Sequence, residues 1–328
     1  MYNDAYQNRN KAMNKQRRKF LTQLGVAACA APFASSIVAS LGAQTEKELF
    51  FKISLAQWSL RELLFPGKLS NLDFPSFTRE KFGIDAVEYV SVFFPEGKAK
   101  DQPYLNELNR RAKDAGVKNN LIMVDLWKYE TAAASAEKRK EAAEAHYEWI
   151  DAASTLGCHA IRINANSHDK AMSYEAMLDA FADGMRRIGE YAAQENINVV
   201  LENHGGYSSN GKWVAELMRR VNMPNCGTLP DFGNNRISEG EAYDPYMLVR
   251  EMMPHAKAVS AKSSGFDAQG NDVRIDYLKM MKIIQDTGFT GYVGIEYGGT
   301  QEKNGITPEA GVLATKHLLE KIGVALSS

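Results

Sequence analysis

After residue 48, a short apolar run and a longer amphipathic segment alternate eight times, and this pattern limits the possible folds more than any other feature. The amphipathic segments carry apolar residues three and four positions apart, as at Met177 and Phe181, which predicts helices. Several of these helices are expected to end at a glycine, as at Gly116, Gly157 and Gly288. The apolar runs, which predict strands, are 49–57, 83–90, 117–125, 158–165, 197–203, 226–232, 256–262 and 292–297.

Strands that alternate with helices pair in parallel through right-handed crossovers. Eight such units favour a closed (β/α)8 TIM barrel, predicted here as a single α/β domain over residues 44–328. The alternative is a doubly wound open sheet, in which a G-x-G-x-x-G turn usually follows the first strand. The corresponding turn reads AQWSLRELL and contains no glycine. The barrel is therefore the expected fold.

Residues 1–43 differ in composition from the rest of the chain. A polar, basic stretch ends with the pair Arg17-Arg18, and an apolar run rich in small residues follows. This order is typical of a secretory signal, and the arginine pair resembles the twin-arginine (Tat) export signal. We expect cleavage near Ala43, contact with the Tat translocon during export, and a periplasmic mature protein. A lipoprotein anchor at Cys29 is the alternative.

Charge and cysteine content narrow the function classes. Residues 1–43 hold six of the 39 Lys and Arg residues but one of the 40 Asp and Glu residues, so the remaining body is acidic. Nucleic-acid binding needs a positive surface, so no nucleic-acid partner is expected. Only Cys158 and Cys226 remain after residue 43. They precede predicted strands that are not neighbours, so no disulfide is expected.

In a TIM barrel, the active site lies at the carboxyl ends of the strands, so the residues that end each apolar run are the functional candidates. Glu202, Asp231 and Glu296 are next to last in the fifth, sixth and eighth runs, and Lys262 ends the seventh. Seven further side chains at the same predicted end are candidates for binding a substrate. They are Trp58, Glu88, Arg162, Asn164, His168, His204 and Asn234.

Three carboxylates that converge at a barrel mouth repel one another unless a positive charge compensates. A divalent cation supplies that charge, and oxygen ligands favour Mn²⁺ or Mg²⁺. Zn²⁺ becomes an option if a histidine joins, and His204 is the candidate because strand alternation places it on the same face as Glu202. A single acid at a strand end is more often a helix cap or a solvated loop residue. Three acids at equal depth favour a metal site.

The motifs VEY at 87–89, LEN at 201–203, PDFGN at 230–234, SAK at 260–262 and GIEY at 294–297 resemble the sugar phosphate isomerase/epimerase family of xylose-isomerase-like TIM barrels. The resemblance covers nearly all of residues 50–325. It implies one metal ion held by Glu202, Asp231 and Glu296. The family supplies a fourth, histidine ligand after the seventh strand, where this chain has Ser260. The metal would then be held with water, would recruit His204, or would be lost.

The same resemblance implies Mn²⁺ as the ion, with Mg²⁺, Zn²⁺ or Co²⁺ as alternatives, and proton abstraction beside a sugar carbonyl as the chemistry. Glu202 and Glu296 are then both metal ligands and acid/base candidates. Lys262 would hold a substrate oxygen or stabilise the enolate. The outcome would be epimerisation, isomerisation or, as in a 3-keto-glycoside lyase or hydratase, elimination. Because the periplasm lacks ATP-driven sugar kinases, we expect an unphosphorylated sugar or keto-sugar as substrate.

Three other functions compete with this one. Lys262 at a strand end also suits a Schiff-base aldolase, which would need no metal. A DNA-cleaving barrel with several zinc ions would need more histidines and a basic face. A metal-free sugar-binding or degenerate barrel would follow if the metal were lost together with the histidine.

Overall fold

In the computed structural model, the structure describes residues 48–169 and 171–327. The predicted signal segment 1–43 lies outside this part of the chain. Each of the eight predicted runs contains a parallel strand, and the eight strands lie side by side in chain order. The strands are Lys52–Ala56, Ala86–Val90, Lys118–Met123, Ala160–Ile163, Asn198–Glu202, Cys226–Leu229, Val259–Ser263 and Tyr292–Tyr297.

The first and eighth strands pair in parallel, so the ends of the chain's barrel region meet. The sixth and seventh strands are joined more sparsely, by isolated bridges from Thr228 to Ala256 and from Asp231 to Ser260. The Ser260 amide donates to the Pro230 carbonyl at 2.9 Å. These contacts complete a nearly closed barrel, and the predicted (β/α)8 fold is confirmed.

Helices cover the outside of the strands. Those longer than one or two turns are Phe74–Phe82, Gln102–Asp114, Ala136–Leu156, Tyr174–Gln194, Gly211–Val221, Pro245–Met252, Tyr277–Gln285 and Pro308–Leu326. The short helices Arg61–Leu64 and Gln301–Asn304 follow the first and eighth strands, and the short hairpin Arg236–Ser238 with Glu241–Ala242 follows the sixth. None of the helices in the described part of the chain is long and apolar enough to cross a membrane.

Of the three glycines expected to end helices, Gly157 caps its helix directly, whereas helices Gln102–Asp114 and Tyr277–Gln285 end two and three residues before Gly116 and Gly288. Gly116, Gly157 and Gly288 all adopt positive φ angles, which glycine tolerates without a steric cost. The inward side chains of the strands form a separate apolar cluster that includes Val90, Met123, Val200, Leu229 and Ala258. The outward side chains pack against the helices in the larger core. Because all eight strands run the same way, the polar residues that follow the inner cluster converge at one end of the barrel.

Cys158 and Cys226 are both free and buried, as expected for a chain without a disulfide between them.

Candidate active site

Three carboxylates meet at the carboxyl end of the barrel. Glu202 ends the fifth strand, Asp231 lies two residues beyond the sixth, and Glu296 is next to last in the eighth. All three are buried, and one oxygen of each lies within 4.8 Å of the corresponding oxygens of the other two. They meet because the three strands are parallel and because alternation turns these side chains inward. The structure thus brings together the three acids that the sequence placed at the strand ends.

Asp231 is the most firmly held of the three. Its Oδ1 accepts hydrogen bonds from the backbone amides of Gly233 and Asn234, each at 2.8 Å. Its Oδ2 accepts one from Ser260 Oγ at 2.7 Å. Asn203 fixes the backbone, accepting from the Asp231 amide at 2.7 Å and donating to the Asp231 carbonyl at 2.9 Å. The PDFGN turn therefore aims the carboxylate into the barrel mouth.

Glu202 lies between a cation and an amide. Asn234 Nδ2 donates to Glu202 Oε1 at 3.0 Å. Arg162 Nε lies 2.8 Å from Glu202 Oε2, yet its N–H is not aligned with that oxygen, and neither atom has a hydrogen-bond partner. The contact is an ion pair without an aligned hydrogen bond.

Arg162 is held by a second acid. Its Nη1 donates to Asp125 Oδ1 at 2.6 Å, and Asn164 Nδ2 donates to the same oxygen at 2.9 Å. Burial disfavours the charge on Arg162, but Glu202 and Asp125 outweigh this effect and raise the pKa of the guanidinium. Arg162 therefore stays charged inside the site. Asn164 acts here through Asp125.

Lys262 and Ser260 connect Glu296 to Asp231. Lys262 Nζ donates to Glu296 Oε1 at 2.6 Å and lies 3.9 Å from Asp231 Oδ2. Ser260 Oγ lies 2.7 Å from Asp231 Oδ2 and 3.3 Å from Glu296 Oε2. The residues at the end of the seventh strand thus bridge two of the three acids, and the serine stands at the position where the resembled family has a histidine.

The three carboxyl groups differ in pKa. Burial raises the pKa of both Glu202 and Asp231 to about 7, against the attraction of Arg162 on Glu202 and of Lys262 on Asp231. Burial also acts on Glu296, but the charge and hydrogen bond of Lys262 outweigh it and lower the pKa. The site therefore has more buried negative charge than its two cations fully stabilise.

Glu88 is a fourth buried carboxyl group, surrounded by residues of the first, third and eighth strands. It is 1% exposed, and its Oε1 accepts hydrogen bonds from Ser54 Oγ at 2.6 Å and Asn120 Nδ2 at 3.1 Å. Burial raises its pKa to about 7. A Cβ at Gly294 would lie 2.5 Å from Glu88 Oε2, so this glycine makes room for the carboxyl group. Glu88 is therefore as buried as Glu202 and Asp231, and the charges of Glu296 and Glu202 act on it.

The remaining predicted residues lie around the rim. His204 is exposed, and its ring centroid is 5.6 Å from that of Trp127. Its nitrogens are not among the ligand atoms that group with the three carboxylates. His168 is exposed in the loop after the fourth strand, where its Nε2 contacts the Trp127 carbonyl at 3.1 Å. Trp58 is half-buried directly after the first strand and packs against the inner apolar cluster.

Several residues that shape the site were not among the predicted ones. Asp125 ends the third apolar run and was detectable by its position, since it follows a strand as the other acids do. Ser54, Asn120 and Gly294 surround Glu88, and no motif indicates them. Arg61 joins the first strand's loop to the eighth strand through four backbone carbonyls.

The donor set fits a divalent cation. Glu202, Asp231 and Glu296 offer carboxylate oxygens only, which suits Mn²⁺ or Mg²⁺ better than a softer metal. Glu202 Oε2 is buried and, apart from its ion pair with Arg162, has no hydrogen-bond partner, so a cation ligand would satisfy it. An ion at this point would also stabilise the two carboxyl groups whose pKa values burial has raised.

The barrel and its acidic mouth define a class of TIM-barrel proteins with the functional groups at the carboxyl ends of the strands. The family model for the xylose isomerase-like TIM barrel matches residues 79–321, and the chain belongs to this family.

Two curated relatives are putative hydroxypyruvate isomerases. The human protein is 25% identical over 252 residues, which cover 71% of this chain and 86% of the relative. The mouse protein is 23% identical over 159 residues, and this match spans 44% of the chain and 56% of the length of the mouse protein.

Solved structures of similar fold include a D-psicose 3-epimerase with D-tagatose from Clostridium cellulolyticum H10. It has a TM-score of 0.63 and 13% identity, with 83% of this chain and 99% of that chain covered. A sugar phosphate isomerase/epimerase from Parabacteroides distasonis ATCC 8503 has a TM-score of 0.62 and 16% identity, with 85% and 96% covered. A probable 3-DHS dehydratase from Bacillus anthracis has a TM-score of 0.59 and 20% identity, with 82% and 98% covered. At these identities the likeness concerns the fold.

Proposed function

We propose that the protein is a metal-dependent isomerase or epimerase that removes a proton from the carbon next to a carbonyl group of an unphosphorylated sugar or keto-sugar. The observation that carries this proposal is the cluster of Glu202, Asp231 and Glu296, whose oxygens lie within 4.8 Å of one another. The names of the curated relatives and of the structural neighbours support the same reaction class.

A divalent cation, with Mn²⁺ as our choice, held by these three carboxylates would supply Lewis-acid stabilisation of the charge that develops on the substrate oxygens. The chain's own groups do the rest. A carboxylate oxygen of Glu202 or Glu296 takes the proton from carbon. The electron pair of the C–H bond forms the carbon–carbon double bond of the enolate, and the π pair of the carbonyl group moves onto its oxygen. The negative oxygen that results needs a positive partner close by.

Lys262 and Arg162 are the cations available for that role. Opposing charges keep the pKa of each above its usual value, so both remain charged near neutral pH. Lys262 is the less buried of the two, with 19% of its side chain exposed, and is the better placed to reach a substrate oxygen. Arg162 holds Glu202 in position from the opposite side. Return of a proton to the opposite face of the same carbon gives an epimer, and return to the neighbouring carbon gives an isomer.

The second candidate function is a lyase or hydratase that acts on a 3-keto-glycoside. The same proton removal would lead to elimination if a leaving group stood on the carbon beyond the carbanion. A probable dehydratase among the structural neighbours favours this alternative. We also propose, from the predicted export signal, that the protein is periplasmic. For both candidate functions, this location favours an unphosphorylated substrate.

Deuterium exchange tests the shared step. Purified protein with Mn²⁺, incubated in D2O with hydroxypyruvate, a ketohexose or a 3-keto-glucoside, is expected to place deuterium on the carbon beside the carbonyl of at least one of them, as measured by NMR. Glu202→Gln and Glu296→Gln should reduce the exchange rate by about 100-fold or more, since each removes a carboxylate base. Glu302→Gln, at an exposed position after the eighth strand, is the surface control.

Absence of exchange on all three substrates, with Mn²⁺ bound, would contradict the proposed chemistry. Trapping of a Lys262 adduct by borohydride would instead indicate a Schiff-base aldolase. Sugar binding without exchange or metal would indicate a binding protein.

A further inference from the structure

An aromatic cluster lies on the loops that follow the first and second strands, at the carboxyl end of the barrel, and the chemistry proposed above does not use it. The cluster consists of Trp58, Phe65 and Phe93. Their ring centroids lie 6.0 Å (Trp58–Phe65), 6.3 Å (Trp58–Phe93) and 4.9 Å (Phe65–Phe93) apart. Phe65 is 60% exposed, and the neighbouring Val92 is 50% exposed. Exposed apolar side chains that form a contiguous patch beside a site indicate a surface that binds something.

The cluster belongs to the same end of the barrel as the three acids. Trp58 lies in the 3-10 helix Gln57–Leu60 after the first strand, and Phe93 ends the 3-10 helix Ser91–Phe93 after the second. Trp58 and Phe93 both pack on the inner apolar cluster of the barrel. Neighbouring strands lie about 4.8 Å apart, and the first strand pairs with the eighth. The cluster thus begins one strand away from Glu296 and extends to the next.

Hydrogen bonds fix the cluster relative to Glu296. Ser59 Oγ donates to the Ile295 carbonyl at 3.1 Å and accepts from the Tyr297 amide at 2.9 Å, on both sides of Glu296. Arg61 donates to the Trp58 and Tyr297 carbonyls at 3.1 Å and 3.0 Å, and its guanidinium lies 5.6 Å from the centre of the Trp58 ring. The aromatic face is therefore held at a set position relative to the acid.

Beyond the rings, a cleft of about 350 Å³ opens between the loops after the first two strands. Phe65 and Phe93 line one part of it, and Asn71 and Tyr104 supply polar groups, with Asn71 Nδ2 donating to Tyr104 Oη at 2.9 Å. An apolar wall with a few polar groups is typical of a small-molecule site. A monosaccharide seated at the three acids would leave this space unfilled.

We propose that the cluster Trp58–Phe65–Phe93 is a second subsite, and that the substrate is a glycoside whose second ring packs on these aromatic faces. This inference rests on the function proposed above and specifies its substrate class. Sugar rings and aryl groups share an apolar face that stacks on aromatic side chains. The cluster begins on the loop after the strand that pairs with the strand of Glu296, and this adjacency favours a part of the substrate over a separate partner.

Binding of unreactive analogues tests the subsite. Dissociation constants of methyl β-glucoside, phenyl β-glucoside and cellobiose are measured by calorimetry on the full chain with Mn²⁺. We expect phenyl β-glucoside and cellobiose to bind at least about fivefold more tightly than methyl β-glucoside. Preference for the phenyl compound alone identifies an aryl aglycone as the second ring, and preference for both identifies a ring with an apolar face in general.

Variants of the cluster distinguish a substrate subsite from a contact between two copies of the chain. Phe65→Ala should abolish the preference without weakening methyl β-glucoside binding, and Phe65→Trp should keep it. Leu278→Ala, which removes a side chain exposed to 50% on the helix Tyr277–Gln285, should change nothing. Equal affinity for the three compounds in the wild type would overturn the inference. So would a dimer that Phe65→Ala converts to monomers with the preference intact, because the cluster would then be a dimer contact.

Deuterium exchange distinguishes failure of this inference from failure of the proposed function. Exchange that is as efficient on free 3-keto-glucose as on its phenyl and glucosyl glycosides would leave the function standing and contradict the subsite. Absence of exchange on all of them would contradict the function, while the binding preference still reports on the subsite.

Discussion

Lys262 places its ammonium group on an oxygen that a divalent cation would need. Its Nζ lies 2.6 Å from Glu296 Oε1, and the charge of Lys262 lowers the pKa of that carboxyl group against the effect of burial. Lysine and a metal ion therefore compete for the negative charge of Glu296. Ser260 lies between Asp231 and Glu296, but its hydroxyl group has one proton to donate. It is neutral, so it does not replace the charge of either the lysine or a metal ion.

Removal of the Lys262 charge should tighten metal binding. In Lys262→Met, Glu296 loses its ion pair, and the ammonium group no longer repels the metal ion. The affinity for Mn²⁺ should therefore rise on the order of tenfold. Deuterium exchange should fall, because the cation that stabilises the substrate oxygen is gone. Calorimetric titration with Mn²⁺ measures the first effect, and Lys303→Met is the control on the short helix after the eighth strand. Weaker Mn²⁺ binding in Lys262→Met would mean that the lysine supports the metal rather than competes with it.

Single residues also define what the sequence could reveal about the site. Four site residues were predictable because each is last or next to last in an apolar run, and parallel strands bring such ends together. They are Glu202, Asp231, Glu296 and Lys262. The partners of Glu88 were not predictable, since Ser54, Asn120 and Gly294 meet it only through the register of neighbouring strands. Glu88 and the three clustered acids look alike in sequence, because all four follow the same alternation at the end of an apolar run.

Helix Ala136–Leu156 carries a titratable side chain, His146, inside the core. His146 is 2% exposed, and its Nδ1 lies 2.7 Å from the Ala142 carbonyl in the same helix. Burial lowers its pKa from 6.5 to about 4, although the hydrogen bond acts in the opposite direction. The imidazole is therefore neutral in the folded protein near neutral pH, and it takes up a proton more readily when the chain unfolds.

Acidification should destabilise the protein through this histidine. Because the folded pKa lies below the unfolded one, the unfolded chain binds more protons between these two values, and the stability is lost as the pH falls through that window. His146 should lower the free energy of unfolding by about 2 kcal/mol between about pH 7 and about pH 5. Urea unfolding of wild type and His146→Gln at both pH values measures this effect.

The comparison of the two proteins isolates His146 from other titrating groups. The buried carboxyl groups with raised pKa values act in the opposite direction, since their contribution to stability weakens as the pH rises, but they are common to both proteins. His317→Gln, on the exposed face of helix Pro308–Leu326, should keep the wild-type dependence. Equal pH dependence in wild type and His146→Gln would show that the imidazole is not desolvated in the folded state.

Loops were harder to predict than strands and helices. The alternation of apolar runs indicated all eight strands, since a barrel strand needs apolar residues on both faces. The aromatic cluster after the first two strands was not indicated beyond Trp58, because the turn AQWSLRELLF reads as an ordinary amphipathic start of a helix. The conformation of this turn depends on Arg61, which donates to four backbone carbonyls. Three of these carbonyls lie at the end of the eighth strand or directly after it. Contacts across 236 to 238 residues carry no local signal.

At the scale of the whole molecule, the barrel explains why the site is where it is. The eight strands share one direction, and the inner apolar cluster fills the barrel up to the level where polar side chains begin. The acids of the fifth, sixth and eighth strands therefore lie close together. The fold thus concentrates negative charge at one end, and cations from the fourth and seventh strands offset part of it. This imbalance is the physical basis for proposing a metal ion.

Anomalous diffraction can locate a metal ion held by the three acids. Crystals grown with Mn²⁺ and measured at the manganese absorption edge should show one strong peak between the carboxylates of Glu202, Asp231 and Glu296. Asp231→Asn crystals, in which one anionic ligand is replaced by an amide, should show a peak that is much weaker or gone. A wild-type map without a peak at this position under saturating Mn²⁺, with Lys262 still bound to Glu296, would contradict the account.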